Sequence, residues 1–374
     1  MNIAYVTLST PFDKHTWSGT NYYARAALEA QGANVQCLFG YRRITPGMAL
    51  RKIAARLSGR HYQAVRSMAS AKGWARFITR GLAKDTDAIL SMSTIPIACL
   101  NTTVPLFVYI DGCYEYMLGQ GFGKMANEAD TAHAIEKLAF ERCTKIFTCS
   151  EASAESIWRH YGDAIYKKVN VVPLGANIDE APTEEAVMQN IRHKDMATCR
   201  LLFVGVEWQR KGADIVVETA KRLHQDGFPV ELHLVGLREI PVPLPPYIVN
   251  HGFIDKNRPE GMAELARLYQ SCHFLFVPSR GEAFGLVFCE ASAYGLPSIS
   301  HSIGGITTIV KDGENGRLFP IGTTPETFAQ YIKDTFADSE DYRQLAASSY
   351  TSFATRLSWE AAAKALLGKI RQTY

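Results

Sequence analysis

At 374 residues the chain is long enough for two domains with separate cores, and 47% hydrophobic against 21% charged residues excludes a disordered chain. The net charge of +3 is too small for a polyelectrolyte, and no run of about 18 apolar residues is present, so no membrane-spanning helix is expected. Eight dispersed cysteines without a C-x-x-C pair read as reduced thiols packed as small apolar residues, and no metal-ligand spacing joins them to the ten histidines.

The chain begins "MNIAYVTLS", without a basic leader, and passes directly into a strand pattern; the expectation is a protein that is neither exported nor membrane-spanning, placed in the cytoplasm. After "IAYVTLS" come "NVQCLFG", "AILSMS", "PLFVYIDG", "KIFTCS" and "VNVVPLG" as further strand candidates, each separated by helical patterns. A second series follows: "RLLFVGV", "VELHLVG", "IVNHGFI", "FLFVPS" and "PSIS". One sheet would hold so many parallel-type strands only with difficulty. Two Rossmann-like domains hold them naturally, and the polar segment near residues 175–198 marks the boundary.

Between Gln31 and Lys84 stand eleven Lys and Arg with no Asp or Glu, so the rest of the chain is acidic on balance. Within it "MALRKIAARL", residues 48–57, sets Leu50, Ile53, Ala54 and Leu57 on one helical face, with Arg51, Lys52 and Arg56 toward another. An anionic membrane surface met through residues 42–84 is one reading; a solvated helix, or a site for an anionic acceptor, is the other. Nucleic acid is not expected, since no binding module accompanies the charge.

Three segments of the second half carry chemistry. In "VGVEWQRKGADIVV" a strand ends, Arg210 and Lys211 follow, and Gly212 opens a helix, so fixed charge and unpaired amides can act on one diphosphate. In "SRGEAFGLVFCEASAYG", Glu282 sits in the loop after a strand and Glu290 about five residues into the next helix, displaced by ~7 to 8 Å along its axis. Two acceptors so spaced suit two polyol groups of one extended ligand, such as a nucleotide sugar. The plainer alternative makes Glu282 an acid at a helix N-terminus and Glu290 a solvated helical residue. In "HSIGGITT", Gly304 and Gly305 allow close backbone approach where a helix begins.

Taken in this order, "VVPLGANID", "WQRKG", "FVPS", "EAFGLVFCE", "YGLPSIS" with "GGI", and "DGENGRLFP" closely resemble the retaining glycosyltransferases of family 4, which have the GT-B fold. The resemblance is strongest from about Cys143 to Pro320. It implies an α/β protein of two Rossmann-like domains facing a cleft: an acceptor-side domain at 1–175, a nucleotide-sugar domain at 176–357, and a closing helix at 358–374 that returns to the first. It further implies that Glu282 contacts hydroxyls of the transferred hexose, that Glu290 binds the ribose, and that Lys211 meets the diphosphate. Ala283, Phe284, Gly285, Leu286, Gly304 and Gly305 line the donor, with Phe253 near the base. Where many members carry an arginine soon after the glycine equivalent to Gly205, this chain has Val206 and Glu207, leaving Arg210 as the substitute charge.

By the same resemblance Ser18, Gly19 and Thr20 occupy the glycine-rich first loop, which closes on the diphosphate or is an ordinary β-to-α turn; G-x-G-x-x-G is absent. Asp111 ends a strand where many members present a histidine, and would orient a sugar hydroxyl or cap the turn. His15 lies in the first loop, facing substrate or solvent. The implied activity is transfer of a hexose from a nucleoside diphosphate sugar to a saccharide or lipid-linked acceptor, with no cofactor beyond that co-substrate and no obligatory metal. The rivals are a nucleotide-sugar 2-epimerase of the same fold, a glycosidase, and a non-catalytic nucleotide-sugar-binding protein.

Overall fold

A computed structural model describes residues 1–41, 65–122 and 129–374. The basic helix expected over 48–57, with Arg51, Lys52 and Arg56, lies outside the described residues. The chain divides into two compact units, Met1–Leu174 with Trp359–Tyr374, and Gly175–Ser358.

The first unit is built on strands β1 (Asn2–Thr7), β2 (Asn34–Phe39), β3 (Ala88–Ser91), β4 (Leu106–Ile110), β5 (Lys145–Thr148) and β6 (Val169–Val171), all parallel, in the order β2-β1-β3-β4-β5-β6. Ile3 pairs with both Val35 and Ala88, so β1 lies inside the sheet. Its central strands are buried on both faces, as every residue of β4 is, which is why they read as unbroken apolar runs rather than alternating ones. Helices α1 (Thr20–Ala30), α2 (Met68–Gly81), α3 (Ala129–Arg142) and α4 (Glu151–Tyr161) belong to this unit.

The second unit carries β7 (Cys199–Val204), β8 (Val230–Val235), β9 (Ile248–Asn250), β10 (Phe274–Phe276), β11 (Ser298–His301) and β12 (Gly316–Phe319), again all parallel, in the order β12-β11-β10-β7-β8-β9. Its longer helices are α5 (Glu184–His193), α6 (Ala213–Gln225), α7 (Pro259–Ser271), α8 (Leu286–Ala293), α9 (Pro325–Ala337) and α10 (Ser339–Ser352). The closing helix α11 (Trp359–Arg371) packs against α1, and Lys145 Nζ donates to its Lys369 carbonyl at 2.9 Å. Six of the eight cysteine thiols are buried.

Three local features differ from the sequence reading. β12 was not expected, because it begins with Gly316, the last residue of the turn signal "DGENG", and the three residues after it include the exposed Arg317. The polar boundary segment contains α5, started by Thr183, whose hydroxyl accepts from the Ala186 amide at 3.3 Å, and held by buried Val187 and Ile191 against α10. The strand expected through "IVNHGFI" stops at Asn250, which leaves Phe253 outside the sheet.

In each sheet the strand order reverses at one place, between β1 and β3 and between β7 and β10. Loops leaving the carboxyl ends of the strands diverge at such a switch point and open a crevice for ligands.

Candidate functional site

The second unit gathers most of the expected residues at its switch point. β7 gives way to a single helical turn, Trp208–Lys211, and Gly212 then adopts φ 76° before α6. A Cβ at Gly212 would strike the Pro278 carbonyl, so this glycine lets the loop after β7 touch the loop after β10. That contact brings Lys211 Nζ into an ion pair with Glu282 Oε2, the two side chains only 12% and 7% exposed.

Arg210 is engaged differently from the expectation. Its Nε and Nη2 donate to Glu207 at 2.7 and 3.1 Å, and its Nη1 donates to the Gly281 carbonyl at 2.8 Å. The charge expected to replace the missing arginine is matched by the acid beside it, and the guanidinium braces the loop that presents Glu282. Arg280 adds a second brace, donating through both terminal nitrogens to Asp214 at 2.8 and 2.7 Å.

Glu290 is the fifth residue of α8, a helix that is apolar nearly all round. It is 2% exposed, so the reading of a solvated helical residue is wrong. Lys256 Nζ donates to its two oxygens at 2.7 and 2.5 Å, and Tyr269 Oη donates to Oε2 at 3.0 Å. Burial and the adjacent Glu290 charge push the Tyr269 phenol well above its ordinary range. Lys256 was missed, since "DKNRPEG" reads as a solvated loop and 34 positions separate it from Glu290.

Ala283, Phe284 and Gly285 are buried between the two acids, with Leu286 half-buried. Gly305 packs where a Cβ would strike the Ala283 carbonyl, and its amide donates to the Glu282 carbonyl at 3.4 Å. That bond orients the Glu282 loop. Gly304 precedes it at φ 46°. Phe253 is 61% exposed, with the Arg238 guanidinium 5.9 Å from its ring centre.

In the first unit, a cavity of about 370 Å³ lies at the switch point, lined by Ser9 after β1, Ser93 and Thr94 after β3, and Asp111 after β4, together with Trp17, Asn21, Arg66 and Glu136. Trp17 Nε1 donates to Asp111 Oδ2 at 3.3 Å, while burial pushes the Asp111 carboxyl above its ordinary range. Trp17, Ser18 and Gly19 are left-handed in succession, at φ 49°, 53° and 87°, and Thr20 then opens α1. Two non-glycine residues in that region, one of them the cavity-lining Trp17, store strain beside the cavity. Asn21 Oδ1 is buried there without a hydrogen-bond partner among the described residues. His15 is tied instead to Asp13, with its side chain 65% exposed.

Glu136 is a second carboxyl that the sequence did not signal. Both its oxygens accept the Tyr114 amide, at 3.0 and 3.1 Å, and Tyr161 Oη donates at 2.5 Å. Burial pushes this carboxyl up too. Among the described residues no three His, Cys, Asp or Glu side chains cluster as a metal site, and no helix is long and apolar enough to cross a membrane.

Two parallel six-stranded Rossmann-like units of this order define the GT-B architecture, and residues 198–338 match the family described as Glycosyl transferases group 1. The second unit therefore carries a glycosyl transferases group 1 domain. The chain is 27% identical over 248 residues to a D-inositol 3-phosphate glycosyltransferase of Paenarthrobacter aurescens, covering 63% of this chain and 59% of that protein. It is 30% identical over 220 residues to one of Geodermatophilus obscurus, covering 55% and 48%. The match thus spans less than two thirds of either relative. Among solved structures, sucrose-phosphate synthase of Thermosynechococcus elongatus aligns with a TM-score of 0.69 at 20% identity, over 100% of this chain and 99% of that one. Anabaena HepE in complex with UDP-glucose aligns at 0.64 and 16%, over the whole of both chains. At such identities these likenesses establish the fold.

Proposed function

We propose that the protein is a retaining hexosyltransferase that moves a hexose from a nucleoside diphosphate sugar to a hydroxyl of a saccharide or lipid-linked saccharide. The observation that carries this reading is the pair of buried acids at one switch point, Glu282 held by Lys211 and Glu290 held by Lys256, inside a glycosyl transferases group 1 domain. Glu282 meets the hexose and Glu290 the ribose. Lys211 gives one N–H to Glu282, and an ammonium has three, so two remain for diphosphate oxygens. As the bond from sugar to phosphate breaks, negative charge grows on the leaving diphosphate, and Lys211 stabilises it more in the transition state than in the ground state.

The acceptor is assigned to the first unit. Its cavity has room for one sugar ring, polar groups to orient hydroxyls, and a carboxyl, Asp111, which burial makes a stronger proton acceptor than an ordinary aspartate and which could take a hydroxyl proton. Because lysine supplies the charge at the diphosphate, turnover is expected to survive a chelator. The basic stretch is assigned to the inner face of an anionic membrane, where a lipid-linked acceptor would lie; among the described residues α2 exposes Lys72, Arg76 and Arg80 at four-residue spacing. The test is product analysis with UDP-hexoses first, since HepE was solved with UDP-glucose. A glycoside formed only when acceptor is added supports transfer; a free altered sugar made without acceptor would instead indicate an epimerase.

A further inference from the structure

The hydrogen bonds around Glu290 constrain how it can hold a ribose. A carboxylate offers about four acceptor positions. Oε2 already accepts from Lys256 and Tyr269, and Oε1 accepts from Lys256. One acceptor position therefore remains, on Oε1. Yet two neighbouring ribose hydroxyls would need two if Glu290 were to accept from both.

Lys256 supplies the other half. Its ammonium has three N–H donors, of which the two carboxylate oxygens take two. Its side chain is 39% exposed, while that of Glu290 is 3% exposed, so the lysine stands on the solvent side of the pair and the acid beneath it.

We propose that Lys256 and Glu290 together form a diol-binding group, in which one hydroxyl of a vicinal pair donates to Glu290 Oε1 and its neighbour accepts the third N–H of Lys256. This deepens the nucleotide-sugar reading and rests on it. Tyr269 completes the group by holding Oε2, so that the open face of Oε1 is fixed. The ion pair is also what allows the acid to be so deep, since a buried carboxylate stripped of its cation is strongly disfavoured. Two linked groups distinguish a ribose from a deoxyribose better than an acid alone. Removing the hydroxyl that meets Glu290 leaves a buried acceptor without its partner, and removing the other deprives Lys256 of its contact in the bound complex.

The experiment is titration calorimetry of the full chain with UDP, GDP and their 2′-deoxy counterparts, for the wild type, K256M, K256R and E290Q, and for K256M combined with E290Q. K256M is expected to weaken the ribonucleotide roughly tenfold to a hundredfold and to shrink the preference over the deoxynucleotide. K256R is expected to recover part of both. In the E290Q background, K256M should add little, because the two act as one group. If K256M fails to fold, K256Q, neutral on a similar stem, carries the same comparison. A K256M chain that binds as tightly as wild type, or more tightly, would overturn the proposal, the second case meaning that the ion pair merely blocks the site. Equal losses for ribo- and deoxynucleotides would overturn it as well, reducing Lys256 to a support for Glu290. Failure of both UDP and GDP to bind the wild type would overturn the nucleotide-sugar reading itself, and this proposal with it.

Discussion

Asp111 stands at the end of β4 with its carboxyl held above its ordinary value of 3.8, burial acting first and the Trp17 indole pulling the other way. A raised acid binds its proton more tightly in the folded chain than in the unfolded one. As pH rises past about 4, the unfolded state sheds the proton first, and the residue takes away stability. Asp111→Asn removes that loss, so its urea midpoint should gain on the wild type as pH rises above about 4, while turnover falls. A gap that stays constant or reverses with pH would contradict the buried acid. Glu282 and Glu290 could be read from spacing because both lie in one segment between a strand and its helix. Lys256 and Glu136 could not, since each meets its partner only through the fold, 34 and 22 positions away in sequence.

Two elements set the geometry around these residues. The turn before α6 depends on Gly212, where φ is 76° and the Pro278 carbonyl occupies the space of a side chain. Gly212→Ala should cost about 2 kcal/mol or more in urea unfolding and should lower turnover by displacing Lys211 from Glu282. Unchanged stability would mean that the two loops are not in contact. Helix α2 is capped by Ser67, whose hydroxyl accepts from the Ser70 amide at 3.2 Å, and it buries Ala71, Trp74, Ala75 and Ile78. Its opposite face exposes Lys72, Arg76 and Arg80. If that face meets anionic lipid at about 1 kcal/mol per cation, changing all three to Gln should lower partition into anionic vesicles roughly a hundredfold. Raising salt from 0.1 to 1 M, which shortens the Debye length from ~10 to ~3 Å, should do the same to the wild type. Co-sedimentation blind to both changes would leave the stripe solvated. Among the described residues the alternation of branched runs and helical patterns showed every strand but β12, most plainly the central ones such as β4, which are buried on both faces and so carry an unbroken apolar run. β12 escaped, having four residues and one exposed arginine, Arg317.

At the scale of the molecule, two sheets with the same kind of strand reversal present two sets of loops, each with its own acids. The division was legible because strand candidates came in two series around a polar segment. That the segment also held a helix was not, since only Val187 and Ile191 of α5 are buried. The central claim is that the second unit reads a nucleotide sugar with its two acids in different roles, and binding of the nucleoside diphosphate alone tests it most directly. By calorimetry, Glu290→Ala should weaken the diphosphate at least about tenfold, while Glu282→Ala, assigned to the absent hexose, should change it far less, acting only through its ion pair with Lys211. Equal losses in both variants, or no diphosphate binding by the wild type, would contradict the account.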